Sequence, residues 1–237
     1  MLSITSIPDD EPLLTTSPLI RGLLKMADYI AEHGGIGLTA SGAFNRKFVH
    51  WAAGEFEWPG FTEDELFAVN KVLDEMDFPP LGDLHALLRA LRLGRHAKGR
   101  FVLTRAGKDL VARPGRLFAE LLPHYLFRLD HGASMRSHSG LLGSWDVFLN
   151  VINVEAERGA SLNSLRRTLY GQPASAGHDE TALALFIGVL RPLCWAGLIT
   201  MDLSYTTRGD SSVIKTELWR RYLRLETDRH LGEPRLH

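Results

Sequence analysis

A leucine-striped helix that runs straight into a basic, glycine-turned hairpin and then into a second capped helix leaves few folds open to a chain. Residues 81–116 read LGDLHALLRALRLGRHAKGRFVLTRAGKDLVARPGR. Leu84, Leu87, Leu88 and Leu91 recur at i, i+3, i+4 and i+7, the spacing of one apolar helix face. Asp83 stands where a cap is expected and Gly94 where a helix stops. Ala97-Lys98-Gly99-Arg100 has turn composition, and Phe101-Val102-Leu103 has the β-branched and aromatic content of a strand. Thr104 can then accept from the first backbone N–H groups of a helix running to Ala112. Helix, hairpin, capped helix is the order of the back half of a winged helix.

Charge is concentrated in the same stretch. Nine Lys/Arg (Arg89, Arg92, Arg95, Lys98, Arg100, Arg105, Lys108, Arg113 and Arg116) face only Asp83 and Asp109, a local balance of +7 in a chain whose total is −1. Residues 1–80 lean the other way, with thirteen Asp/Glu against five Lys/Arg. Clustered positive charge where a wing would sit is the footprint expected of phosphate contact. His85, Arg89, Arg92 and His96 recur at i, i+4, i+7 and i+11 and are expected to share a second, solvated face of the helix. The expected nucleic-acid contacts are therefore Arg89, Arg92, Arg95, Lys98, Arg100, Arg105 and Lys108. Arg89 and Arg92 are the ones placed to read bases, because the helix before the hairpin is the one that enters the major groove.

The chain has 237 residues, 45% hydrophobic and 23% charged, enough for one large domain or two small ones with a real core. The single cysteine, Cys194, cannot form an internal disulfide, which fits a reducing, cytoplasmic setting. No apolar run approaches the ~18 residues of a membrane span, and no basic-then-apolar leader opens the chain, so no membrane partner is expected.

In order, residues 1–16 hold Pro8, Pro12 and Asp9-Asp10-Glu11 and read as a flexible arm. Ser17-Pro18 opens a helix that Gly34-Gly35 closes. Leu38-Thr39-Ala40-Ser41-Gly42 has the form of Leu103-Thr104-Arg105-Ala106-Gly107, so both predict strand, threonine cap, helix. Thr62-Glu63-Asp64-Glu65 fits a capping box for a helix burying Leu66, Val69, Leu73 and Met76, stopped by Pro79-Pro80. Leu117, Phe118, Leu121, Leu122, Tyr125, Leu126 and Leu129 stripe a long helix that Pro123 is expected to kink or break. Small and polar residues from 130 to 143 mark a boundary.

The order then repeats. Ser144 can cap a helix with Trp145, Phe148, Leu149 and Ile152; Gly159 ends it; Ser161 caps a shorter one. A loop over 172–177 leads to a nearly all-apolar helix from Asp179, which Pro192 bends or ends. Extended Leu198–Met201, a polar turn over 207–211 and Val213-Ile214-Lys215 make a second hairpin, and Trp219 begins a last helix.

Leu38–Gly42, the leucine-rich helix 84–93, Lys98–Lys108 and the Leu117–Leu122 helix together resemble a group of uncharacterised bacterial proteins described as plasmid ORF-3-like. The resemblance covers roughly two fifths of the chain and implies a winged-helix-like fold. It brings no catalytic residues with it.

Linear signatures of chemistry are missing. There is no GxxxxGK[ST], HExxH or CxxC, and Gly34-Gly35-Ile36-Gly37 follows a helix where a dinucleotide fingerprint follows a strand. His124, His131 and His138 are spaced by seven across a loop, which fixes no geometry. Cys194 beside Trp195 reads as a buried, inert thiol. Asp64-Glu65 and Asp74-Glu75 read as helix-surface charges. Ala182-Leu183-Ala184-Leu185-Phe186 resembles the tail of peptides that dock on the bacterial replication clamp, but lacks their glutamine and reads as core.

The expected fold is thus mostly α with short β-hairpins, in two winged-helix-like units: a flexible arm over 1–16, a helical winged-helix-like domain over 17–130 and a second over 141–237. The expected function is that of a non-enzymatic winged-helix protein, DNA-binding or regulatory, with no cofactor and no metal, and double-stranded DNA as the expected partner. The alternative is a protein-interaction module, a regulator or toxin-like partner of a bacterial protein, such as one of the replication machinery.

Overall fold

A computed structural model describes residues 2–132, 143–171, 180–201 and 211–231. The central part of the boundary segment (133–142), the loop 172–177, the helix start at Asp179 and most of the polar turn before Ser211 lie outside the described residues. In chain order the elements are β1 (Ser3–Ile4), α1 (Pro18–His33), β2 (Ile36–Gly37), α2 (Arg46–Phe56), α3 (Glu63–Val69), α4 (Pro79–Ala90), β3 (Gly94–Ala97), β4 (Arg100–Leu103), α5 (Arg105–Val111) and α6 (Pro114–Arg128). They continue with α7 (Trp145–Glu155), β5 (Ala160–Ser161), α8 (Leu162–Tyr170), α9 (Glu180–Leu185), α10 (Arg191–Trp195), β6 (Ile199–Thr200), β7 (Ser212–Lys215), α11 (Glu217–Tyr222) and β8 (Leu223–Arg224). The protein is mostly helical with short antiparallel strand pairs, as the patterning implies. It divides into two compact units: Ile7–Leu129, and Asp130–His237 joined by Met1–Ser6.

In the Ile7–Leu129 unit, α1 starts where Ser17 Oγ accepts from the Ile20 N–H and ends at Gly34 with φ 70°. Three strands form an antiparallel sheet in the order β2-β4-β3, with Ile36 opposite Phe101 and Gly94 opposite Leu103. Phe44, Phe48, Phe56, Phe78, Phe101 and Phe118 are fully buried, packed with Leu81, Leu84, Leu87 and Leu88 of α4. Burial of each such side chain is worth about 1.5–3 kcal/mol. Pro123 lies inside α6, which runs on through it to Arg128.

Local differences from the sequence reading have physical causes. Residues 1–16, read as an arm, carry β1, paired with β8, and a 3-10 turn at Pro12–Thr16 with Leu14 buried. Helix α4 begins at Pro79-Pro80, because proline suits the first helical turn, so Asp83 is interior and not a cap. It ends at Ala90, short of Gly94. Gly94 is needed for another reason: a Cβ there would lie 2.1 Å from the Phe101 ring. Thr39 caps no helix. It closes a tight loop, its Oγ accepting from the Ala43 N–H, and Asn45 caps α2 instead. The Thr62–Glu65 capping box forms, but α3 stops at Val69. Asp74 then opens a 3-10 turn over Glu75–Asp77, and Asp77 accepts from both the Asp74 N–H and the Asn70 side chain. Leu66 and Leu73 are buried as expected, whereas Val69 and Met76 are 81% and 92% exposed.

The second unit repeats the order. Strands β5, β6 and β7 form an antiparallel sheet in the order β5-β7-β6. Between α9 and α10 the turn widens to a π-turn at Phe186–Leu190, where the Arg191 N–H reaches back to Phe186 O. Pro192 has no N–H and its ring crowds the preceding turn, so the helix widens there and stays continuous. Lys215 is 4% exposed and fully engaged, donating to Asn153 O and Oδ1 and paired with Glu157. Asn153 also accepts from Trp219 Nε1 and donates to Thr227 and Asp228, which ties α7 to β7 and α11. Cys194 is buried, and burial pushes its thiol up to about 12, so it is inert at neutral pH. Leu185 and Phe186 of the clamp-like segment are buried as well.

Candidate functional site

The end of α4, the β3–β4 hairpin and the start of α5 are positioned by one hydrogen-bonded corner. After Ala90 the chain turns left-handed at Arg92, φ 57°, while Leu91 N–H bonds Leu87 O and Leu93 N–H bonds Leu88 O. This satisfies the helix's last carbonyls. Thr104 Oγ then donates to the Arg92 and Leu93 carbonyls, Thr104 N–H donates to Leu93 O, and the same Oγ accepts from the Gly107 N–H to cap α5. Gly107 is obligatory here, since a Cβ would lie 2.1 Å from Leu93 O. The hairpin turns at Lys98 and Gly99, both at positive φ.

This corner displays cations. Arg89, Arg92, Arg95, Lys98, Arg100, Arg105 and Lys108 are all exposed. Among the described residues, six of them make no ion pair or side-chain hydrogen bond. Arg100 is different: its guanidinium donates to His33 O at 2.8 Å and Gly35 O at 3.5 Å, so it tethers β4 to the C-terminal end of α1. The acids of the first eighty residues do not neutralise the patch. Lys25 pairs with Glu55, Arg46 with Asp74 and Arg116 with Glu120, all outside the exposed cationic set.

The expected histidine–arginine face does not exist as one face. His85 shares the buried side with Leu81, Leu84 and Leu88; it is 8% exposed and its ring stacks on Phe44 with centroids 4.2 Å apart. His96 comes from β3, and its Nε2 lies 2.9 Å from His85 Nε2. His85 Nδ1 lies 2.8 Å from Glu75 Oε1, and Glu75 Oε2 accepts the Phe44 N–H. One proton fits between the two Nε2 atoms. With Nδ1–H donated to Glu75, His85 offers its Nε2 lone pair to His96 Nε2–H. Partial desolvation, together with the facing His85 and Arg89, holds the His96 imidazole below its usual range, against the opposing pull of Glu75. Glu75, expected from the sequence as a helix-surface charge, instead lies against His85 and the Phe44 N–H. The available signal was His85 itself, at i+4 from Leu81 and i−3 from Leu88, which places it on the buried face.

Among the described residues no three His, Cys, Asp or Glu side chains group as a metal site, and no helix is long and apolar enough to cross a membrane. Family models for the Y4jL N-terminal domain and the y4jL C-terminal domain match residues 15–116 and 135–217. Over 171 residues the chain is 44% identical to the uncharacterised protein y4jL of Sinorhizobium fredii (strain NBRC 101917 / NGR234), a match covering 72% of this chain and 78% of that protein. No solved structure matches. These matches are to an uncharacterised bacterial family, as expected. They carry the y4jL description, where the sequence resemblance pointed to plasmid ORF-3-like proteins.

Proposed function

The chain belongs to the y4jL family, and we propose that it is a non-enzymatic, cytoplasmic DNA-binding protein with two winged-helix-like units, the first of which carries the DNA surface. The observation that carries this reading is the set of six exposed, unpaired cations on the end of α4, the hairpin and α5. The connectivity supports it. Each unit runs helix, strand, helices, hairpin, with the last hairpin strand in the middle of the sheet. Arg89 and Arg92 sit at the C-terminal end of the helix before the hairpin, Lys98 at the hairpin tip, and Arg105 and Lys108 on the following helix. In the proposed complex one of Arg89 and Arg92 reads base edges, and the other contacts phosphates together with Arg95, Lys98, Arg105 and Lys108. Arg100 is left to its structural bond.

The test is fluorescence anisotropy of a labelled random duplex at about 50 and 200 mM salt. With about five phosphates contacted, log affinity falls with log salt at a slope near −4 to −5. The double substitution Arg95→Glu, Lys98→Glu abolishes binding at unchanged melting temperature. Arg100→Ala lowers melting by an amount corresponding to about 1 kcal/mol. Duplex affinity indifferent to salt, or intact in the double variant, sinks the reading.

A further inference from the structure

A second surface of the same unit carries the opposite charge and an unfilled apolar groove. Helix α3 ends early, and its last residue Val69, with Val72 and Met76 after it, is exposed: 81%, 50% and 92% within eight residues. Val69 lines a cavity of about 330 Å³, and Met76 adjoins its lining residue Asp77 in sequence. Phe61, Leu66 and Val69 give it an apolar wall, and Glu65, Asn70 and Asp77 a polar rim. Its volume is at the small end of the ~300–1,000 Å³ of ligand clefts, room for anchoring side chains more than for a cofactor. Burial of three such side chains elsewhere in this unit is routine, so their display here is the departure.

The rim has one sign. Residues 55–77 hold eight Asp/Glu and a single Lys/Arg, Lys71. Glu65 and Asp77 are hydrogen-bonded only by neutral donors: the Thr62 N–H and hydroxyl for Glu65, and the Asn70 side chain and Asp74 N–H for Asp77. Among the described residues neither is paired with a cation at the groove. Glu63 and Asp64 add to it on the first turn of α3. Such a rim repels nucleic acid and acidic partners and attracts cations.

We infer that this groove docks a basic amphipathic helix of a partner protein, with apolar side chains against Phe61, Leu66 and Val69 and flanking Lys/Arg facing Glu65 and Asp77. A helix laid in a groove meets both demands at once, because its apolar and cationic stripes are a fixed distance apart. The most cationic stretch of a second copy does not fit. Its cationic stretch, 81–116, keeps Leu84, Leu87 and Leu88 buried in its own core and so offers charge without an apolar stripe. This docking surface is independent of the cationic corner and of DNA binding.

The experiment uses the full chain and dye-labelled helical peptides about 15 residues long, followed by anisotropy at low salt. One peptide has a leucine stripe flanked by lysines. One has glutamate for every lysine, and one has serine for every leucine. The lysine–leucine peptide binds, the glutamate peptide does not, and the serine peptide binds at least tenfold more weakly. Val69→Ser with Met76→Ser weakens the lysine–leucine peptide at least tenfold while melting is unchanged, since both side chains are exposed. Asp77→Asn weakens it and flattens its salt dependence. Equal binding to the serine double variant, or no binding of the lysine–leucine peptide, overturns the proposal. So does sedimentation in which the wild-type chain self-associates and the serine double variant does not, because the occupant is then a second copy.

Discussion

Arg92 holds a backbone conformation that glycine adopts at far lower cost. Its φ of 57° closes α4, and at the same point of the second unit Gly197, φ 77°, closes α10. The surrounding bonds correspond: Arg92 N–H to Arg89 O and Leu93 N–H to Leu88 O in one, Gly197 N–H to Cys194 O and Leu198 N–H to Leu193 O in the other. A non-glycine residue at a left-handed cap pays a steric cost from its Cβ. Arg92→Gly is therefore expected to raise stability by about 0.5–1 kcal/mol. If Arg92 is the one of the pair that contacts a phosphate, the same change lowers duplex affinity and makes the salt slope shallower by about 0.9. Melting and anisotropy on one variant should move in opposite directions, the signature of stability given up for function. A more stable variant with unchanged affinity would remove Arg92 from the interface.

The Glu75–His85–His96 chain acts between elements, joining the 3-10 turn before α4, α4 itself and β3. His96 titrates below the usual imidazole range because of partial desolvation and the facing His85 and Arg89, with Glu75 opposing. In the window between that depressed value and the ordinary one, the unfolded chain binds more protons than the folded one, so stability rises with pH there. Acidification through the imidazole range should therefore weaken the unit. Full protonation of both rings would also set two N–H groups against each other across the 2.9 Å contact. Urea unfolding at pH 7.5 and 5.5 is the measurement. The wild-type midpoint should fall on acidification by more than that of His96→Gln. Equal pH dependence in the two proteins would show that the pair does not set it.

At the scale of the whole molecule, two units repeat one plan, each closed by the same threonine device. Thr104 Oγ donates to Arg92 O and Leu93 O in the first unit, and Thr216 Oγ to Gly197 O and Leu198 O in the second. Chain order and unit membership do not coincide, because Met1–Ser6 belongs with Asp130–His237. Ser3 pairs with Arg224 and Ile4 with Leu223, and Thr5 N–H donates to Tyr222 O. Removal of residues 1–6 should therefore loosen the C-terminal unit. Amide exchange over 222–225 should accelerate by about tenfold or more, with exchange over 94–103 unchanged. Unaltered exchange over 222–225 would mean that β1 contributes nothing there.

The sequence by itself determined what rests on local chemistry. The Ser17, Thr62, Thr104 and Ser161 caps, the α4 leucine face and the hairpin after it are readable because period and capping act within a few residues. So are the charge imbalance and the exposure of its arginines. Tertiary structure decided the rest, where a residue's role depends on a distant partner. Gly94 serves the Phe101 ring, not the helix end. Arg100 bonds α1, sixty-seven residues away, although its neighbours in sequence made it look like one more phosphate ligand. Glu75 and His96 meet His85 only because a 3-10 turn and a strand converge on the buried face of α4. Met76 keeps a helical apolar pattern with Leu66 and Leu73 yet ends in solvent, because α3 stops at Val69 and Asp74 and Asp77 close a new turn around it. Local pattern fixes which side chains could pack together, and the competition among caps, turns and ring contacts across the fold fixes which of them do.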